Sequence, residues 1–248
     1  MSSYKIITTV VNNPGFIEIQ NALLQKYCKN NYEFIVFNDA KDFPDHTNGN
    51  DVTMRSKIKQ TCKKLGLLCI NIPNDHHQSR QAASERASDS FNYILEYQRQ
   101  NPEDKYLVLD SDMFPITEFD ISKFEDFDCA IVLQERTQFN IKYFWHGLYY
   151  FDMTKMKDTD LLDWSMCSGC DTGGMLHKWL HKKTETHMPS CDVIRISKDQ
   201  YVGYGIYYIR RLWSLTWDET ELPDEIRTDA LLDFLKNDER NQNQKFFC

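Results

Sequence analysis

The first 112 residues alternate between β-branched apolar runs and amphipathic helical stretches, and this alternation restricts the fold more than any other feature of the chain. Ile6-Ile7-Thr8-Thr9-Val10-Val11 predicts a buried strand, stopped by the turn signals Asn12-Asn13-Pro14-Gly15. Phe16 to Lys29 places Phe16, Ile19, Leu23, Leu24 and Tyr27 at helical spacing. Glu33 to Phe37 predicts a second strand closing on Asn38-Asp39. Met54 to Leu65 predicts a helix ended by Gly66, and Leu67 to Ile72 a strand cut by Pro73. Gln78 to Gln100 predicts one long amphipathic helix, with Ala83, Ala87, Phe91, Ile94 and Leu95 on its apolar side. Tyr106 to Leu109 is a fourth strand. Right-handed β-α-β crossovers then imply an α/β fold, Rossmann-like, with a mostly parallel central sheet and helices on both faces. Ligands of such sheets bind beyond the carboxyl ends of the strands. Those ends carry Asn12-Asn13, Asn38-Asp39, Asn71 to Asn74 and Asp110-Ser111-Asp112, so they are polar and acidic.

Beyond residue 113 the pattern loosens. Cys129 to Leu133 and Gly147 to Phe151 predict strands, Asp171 to His181 a helix, and Val193 to Ile196 a short strand. Glu221 to Asn237 predicts an acidic amphipathic helix opened by Pro223. The expected organisation is one domain over 1–215, divided into halves 1–112 and 113–215, followed by a helix and tail over 216–248.

Composition narrows the partners. A net charge of −8 and a pI near 5.4 repel phosphate backbones, so no nucleic-acid partner is expected. No stretch approaches the ~20 apolar residues of a membrane span. Met1-Ser2-Ser3-Tyr4-Lys5 lacks a basic region followed by an apolar core, so a soluble, cytoplasmic protein without a signal peptide is expected. The eight cysteines are mostly isolated and are expected as reduced, buried thiols. Cys167, Cys170, His177, His181, His187 and Cys191 contain enough donors for a zinc site. The six residues between Cys170 and His177 fall short of zinc-finger spacing, however, and a second C-x-x-C is absent.

Chemistry is concentrated in carboxylates. With 24 aspartates, chance alone yields about two Asp-x-Asp pairs, and the chain has three, at Asp110/Asp112, Asp126/Asp128 and Asp158/Asp160. Only Asp110-Ser111-Asp112 directly follows an apolar strand that completes the β-α-β alternation. Residues two apart on a strand share a side, so both carboxylates are expected to converge at the ligand edge. Such a pair suits Mg²⁺ or Mn²⁺ bridging a diphosphate; solvated loop residues or helix caps are the plainer alternative.

Tyr106-Leu-Val-Leu-Asp110-Ser-Asp112-Met-Phe-Pro resembles the hydrophobic-strand-plus-Asp-x-Asp signature of the GT-A-fold glycosyltransferases, the nucleotide-diphospho-sugar transferases. Ser79-Arg80-Gln-Ala-Ala-Ser-Glu-Arg86-Ala, Trp145-His146-Gly147-Leu-Tyr-Tyr-Phe151-Asp152 and Cys170-Asp171-Thr-Gly173-Gly174-Met-Leu follow in an order and spacing similar to that family's, over roughly residues 4 to 181. The resemblance implies a metal-dependent hexosyl- or pentosyltransferase that moves a sugar from a nucleotide-sugar donor to a glycan or other hydroxyl acceptor. Residues 113–215 would be its acceptor side.

It also implies roles. Thr8, Thr9 and Asn12 line the nucleotide pocket, and Asp39 accepts the imide N–H of uracil, making UDP the expected carrier. Arg80, in a helix first turn, contacts the diphosphate, with Ser111 beside it. Asp110 faces ribose or metal, and Asp112 ligates Mn²⁺ or Mg²⁺. Asp171 is the expected catalytic carboxylate, a general base in an inverting enzyme or a stabiliser of positive charge in a retaining one, with Asp152 the weaker candidate, although Asp171 also suits a helix N-cap. Trp145, His146 and Tyr149 stack on the acceptor sugar, with Trp145 and Tyr149 on one side of a regular strand; strand aromatics are also common core residues. A haloacid-dehalogenase-type phosphatase also carries Asp-x-Asp after an apolar strand, but normally on its first strand and with Thr or Val where this chain has Phe114. A sugar nucleotidyltransferase would need a glycine-rich first loop, which Asn12-Asn-Pro-Gly15 is not, and a non-catalytic nucleotide- or carbohydrate-binding relative is a further alternative.

Overall fold

The computed structural model describes residues 4–44, 51–115, 118–167, 169–183 and 206–208, with 181–183 and 206–208 described by backbone alone. The expected strand at Val193–Ile196, the helix at Glu221–Asn237 and the division at 215/216 lie outside these residues.

Strands β1 (Tyr4–Val10), β2 (Tyr32–Asn38), β3 (Leu68–Asn71), β4 (Lys105–Asp110), β5 (Cys129–Arg136), β6 (Ile141–Asp152) and β7 (Ile206–Tyr208) form one sheet in the order β3-β2-β1-β4-β6-β5-β7. The expected α/β class and mostly parallel sheet are present, since β6 alone runs against the others. Helices α1 (Pro14–Tyr27) and α2 (Met54–Leu65) cover one face. Helices α4 (Ala83–Gln100) and α5 (His177–Lys183) cover the other, with the single turn α3 (His76–Ser79) preceding α4.

Local chemistry explains the boundaries. The Asn13 side chain accepts from Gly15 N and caps α1, where Pro14 supplies a preset helical φ at the first position. Gly66 ends α2 at φ 69°, a left-handed conformation that its missing Cβ permits, and returns its N–H to the last carbonyls of the helix. β1, β2 and β4 are buried on both faces, which is why they appear in the sequence as continuous apolar runs rather than alternating ones, while the edge strand β3 leaves Leu68 and Asn71 exposed. Ile7, Ile35, Phe37 and Val108 pack toward Phe91, Ile94 and Leu95 of α4; Ile6, Val36, Leu107 and Leu109 pack toward Ile17 and Leu24 of α1 and Ile58 of α2.

Three expectations fail here. The helix expected from Gln78 is broken at Arg80, whose backbone is extended (φ −107°, ψ 130°). The Arg86 guanidinium donates to the carbonyls of Arg80 and Gln81 across that break, so α4 begins only at Ala83. The helix expected from Asp171 is instead a 3₁₀ turn, Gly174–Leu176, leading into α5, and the Asp171 carboxylate does not cap it. β6 is not a regular strand: Ile131 pairs with Tyr149 while Leu133 pairs with Phe144, a bulge that accommodates several extra residues on β6. Among the described residues no helix is long and apolar enough to cross a membrane.

Candidate functional site

The acidic turn sits at the carboxyl end of β4, beside the tip of β1, with Thr9 in register with Asp110. The strand stops at Asp110, so Asp112 belongs to the following turn and the strand-parity reason for pairing the two carboxylates does not apply. The turn instead is shaped by hydrogen bonds. Ser111 N donates to Asp110 Oδ1 at 2.8 Å, and Met113 N donates to Asp110 O at 3.1 Å. Gln20, wholly buried on α1, donates its one amide nitrogen to Asp110 O at 2.8 Å and to Met113 O at 2.9 Å. Beyond the turn, Phe114 packs edge-on to Phe16 of α1 at 5.5 Å. Asp110 and Asp112 are thus partly exposed carboxylates on a turn fastened from beneath.

β6 contributes from the other side. The His146 Nε2 lies 3.4 Å from Asp110 Oδ2, and its ring meets Phe91 of α4 edge-on at 5.0 Å. The bulge separates the aromatics expected together: His146 and Tyr149 lie on the α4 face, while Trp145 packs with the cluster on the opposite face. Tyr149 is fully buried against Phe151 and Trp164, with its hydroxyl pushed to a higher pKa by desolvation, so it is a core residue and not a sugar platform. Trp145 is half-buried and its indole lies over Gly147, where an added Cβ would stand 2.3 Å from the ring.

Asp152 is placed at the wrong end. Because β6 is antiparallel to β4, Asp152 pairs with Lys105, five residues and roughly 17 Å of strand from Asp110. It is fully buried, accepting from Thr154 N and Oγ1, and cannot serve a substrate at the acidic turn. Asp171 is exposed on the segment between Leu162 and Leu176. That segment is tied to α4 by Asn92, whose amide nitrogen donates to Asp163 Oδ1 and Ser165 Oγ and whose carbonyl accepts from Trp164 N. Thr172 Oγ1 adds a bond to Ser84 O in the first turn of α4. The β5–β6 crest braces the other side: Arg136 donates to Gly169 O, and Asp171 N donates to Tyr143 Oη. Burial pushes the Asp163 carboxyl up, but its bonds from Ser165 and Asn92 outweigh this and hold it below the usual carboxylate range.

The donor-side residues divide. Thr8 and Thr9 are consecutive on β1, so they point to opposite faces and cannot both line one pocket; Thr8 is fully buried and Thr9 is 6% exposed. Asn12 is exposed in the bend after β1. Arg80 is not in a helix first turn; its guanidinium makes an exposed ion pair with Asp89 at 3.1 Å.

Asp39 is only 2% exposed and already partnered, which corrects the expectation of an open acceptor for a base. His76 Nε2 lies 3.0 Å from its Oδ1, Ser90 Oγ donates to its Oδ2 at 2.6 Å, and His77 Nε2 meets its backbone carbonyl at 2.6 Å. A carbonyl only accepts, so that His77 nitrogen carries the hydrogen. Burial pushes the Asp39 carboxyl up, yet the bonds from His76 and His77 prevail and hold it below its ordinary value. His76 is lowered by burial, and Asp39 more than reverses this. Donor atoms of Asp39, His76 and His77 lie within 4.8 Å of one another, a geometry able to hold a metal ion. His76 and His77 were not among the residues singled out from sequence, where an adjacent pair ahead of a helix has no distinguishing pattern. Arg55 was missed likewise: its guanidinium donates to Ala40 O and Ile72 O, fastening the chain beyond β2 to the chain beyond β3.

The cysteine–histidine cluster does not converge among the described residues. His177 Nδ1 is 2.8 Å from Gly174 O, and the side chains of His181, His187 and Cys191 lie outside them. Cys170 is raised to about 11 by burial and by its neighbour Cys167.

Among known proteins, no family model and no curated protein matches the chain. Three solved structures with a similar course are glycosyltransferases. The bifunctional glycosyltransferase WbbM is 12% identical with a TM-score of 0.37, covering 62% of this chain and 32% of its own. The mannosyltransferase PcManGT of Pyrobaculum calidifontis, solved with GDP-Man and Mn²⁺, is 10% identical with a TM-score of 0.43, covering 84% and 55%. The glycosyltransferase GlyE of Streptococcus pneumoniae is 14% identical with a TM-score of 0.38, covering 62% and 35%. The chain therefore spans between a third and just over half of the length of these proteins, and likenesses of this strength assign neither donor nor acceptor.

Proposed function

We propose that this chain is a metal-dependent glycosyltransferase of the GT-A type, moving a hexosyl or pentosyl group from a nucleotide-diphosphate sugar to a hydroxyl of a glycan or similar acceptor. The supporting observation is the Asp110-Ser111-Asp112 turn, fastened by Gln20 at the carboxyl end of a central parallel strand, where α/β sheets bind their ligands. Two partly exposed carboxylates on one turn are a hard, all-oxygen donor set that fits Mn²⁺ or Mg²⁺. Bound there, such an ion would neutralise the charge of a departing diphosphate.

The chain's own groups do the rest. Ser111 and Asn12 are at the strand tips, within the donor half. Arg80 reaches diphosphate oxygens by giving up its exposed pair with Asp89, a contact worth at most about 1 kcal/mol. His146 orients Asp110 from β6, and the half-buried Trp145 presents its indole to the acceptor. Asp171, exposed on a braced segment, takes the proton of the acceptor hydroxyl if the anomeric centre inverts, or stabilises positive charge on the sugar if it is retained.

A panel of nucleotide sugars, with Mn²⁺ or with chelator, tests the proposal by thermal shift, because a ligand of the folded state raises its melting temperature. Asp112→Ala should abolish the Mn²⁺-dependent shift while leaving the unliganded melt in place. Undiminished metal-dependent binding in that variant would overturn the assignment, as would turnover of phosphomonoesters instead of sugar transfer.

A further inference from the structure

The Asp39 cluster is unused by sugar transfer, and it has the makings of a metal site of another kind. We propose that Asp39, His76 and His77 form a structural zinc site that ties the tip of β2 to α3, separate from the acidic turn on β4.

Geometry is the first support. Two zinc–ligand bonds of about 2.0 Å at a tetrahedral angle set their donor atoms about 3.3 Å apart. His76 Nε2 and His77 Nε2 stand 3.0 Å and 3.5 Å from the same oxygen, Asp39 Oδ1, and the imidazoles are adjacent, with ring centres 4.4 Å apart. An ion enters this arrangement with small movements, displacing the protons that now join the three groups.

Burial is the second. The three residues are 2%, 7% and 3% exposed, so an ion among them would be screened from bulk solvent, with a water completing the tetrahedral shell of its three protein ligands. Its surroundings also fix the ligands. Ser90 Oγ holds the second carboxylate oxygen, Asp39 N donates to Val10 O, and Asn74 and Arg55 donate to Ala40 O, so the carboxylate is oriented before any ion arrives.

Ligand type separates the two sites. Two imidazoles with one carboxylate select zinc over magnesium or manganese, while the oxygen-only pair at Asp110 and Asp112 has the reverse preference. The zinc would cross-link residues 37 and 38 positions apart and close the loop between them, so its effect is on stability and not on the reaction. The proposal does not depend on glycosyl transfer.

The experiment uses the full chain, stripped with chelator and titrated with zinc or with cobalt(II) as a spectroscopic stand-in. Unmodified protein should retain about one zinc per chain after desalting and show the intense visible bands of tetrahedral cobalt without a near-ultraviolet thiolate band. Zinc should also raise its melting temperature. His76→Gln and His77→Gln, tested singly, should each lose the retained zinc and the zinc-dependent rise. Asp112→Asn and Cys170→Ser should keep both, so failure of the acidic-turn assignment would appear as a different pattern. A thiolate band, zinc retention unchanged in both histidine variants, or no zinc retained by the unmodified protein would each overturn the proposal.

Discussion

Gln20→Met tests whether the acidic turn is held from below. The substitution preserves length and volume at a wholly buried position but removes the amide that donates to Asp110 O and Met113 O. Asp110 O keeps Met113 N as a donor at 3.1 Å, so Met113 O is the acceptor that suffers. A buried acceptor left without a donor costs about 1–3 kcal/mol. Gln20 Oε1 is itself buried with no partner among the described residues, and removing it returns roughly 1 kcal/mol. The net loss is then about 0–2 kcal/mol, which lowers the melting temperature of a domain of this size by up to about 8 °C. If about 1 kcal/mol of this reflects lost preorganisation of the carboxylates, half-saturation with Mn²⁺ should need about fivefold more metal. Thermal unfolding and a Mn²⁺ titration of nucleotide-sugar binding read the two quantities separately. A melt within about 1 °C of the unmodified protein, together with an unchanged Mn²⁺ requirement, would refute this view of the turn.

Gly147→Ala should displace the Trp145 indole from the backbone it covers and weaken acceptor use, leaving donor binding intact; acceptor KM and tryptophan emission report it. Thr8→Val should be neutral or add up to about 1 kcal/mol, because the Thr8 hydroxyl is buried with no partner among the described residues. Unchanged donor affinity would confirm that Thr8 belongs to the core, and a large loss would return it to the pocket. Asp163 sets an acid limit. Its carboxyl is held below the ordinary range, so the stability it contributes is present above its unfolded value, about 3.9, and is lost as pH falls through the lower folded value. Protease cleavage within residues 162–176 should rise steeply on acidification below about pH 4, and Asp163→Asn should show such cleavage already at neutral pH.

The donor half could be inferred from sequence because its central strands β1, β2 and β4 are covered on both faces, so burial alone produces the apolar runs between turn signals. Gly66 and Asn13 announce helix ends through backbone and capping chemistry that needs no tertiary partner. The break at Arg80 is different: neither glycine nor proline marks it, and the Arg86 guanidinium that spans it acts through side-chain bonds to carbonyls. The direction of β6 was equally hidden. An apolar run does not say which way it lies in a sheet, and that reversal alone moves Asp152 to the far edge while bringing His146 to Asp110. The bulge then reassigns the aromatics, since extra residues opposite Val132 change which ones share a face. Asp39 was correctly placed at a strand tip, but its neighbours His76, His77 and Ser90 come from two later helices, and only folding shows that it is buried among them.

The β5–β6 crest has a consequence for how such a protein can diversify. Leu133 to Arg136 pair with Phe144 to Ile141, beyond the last residue that β4 or β7 contributes among the described residues, so no described strand borders the outer end of this hairpin. Lengthening its tip costs little, since each doubling of a loop adds only about 0.6 kcal/mol of closure entropy. Mutation can therefore remodel this hairpin tip while the turn on β4 stays untouched. Two rates of evolutionary change are built into one sheet, slow at its centre and fast at its overhang.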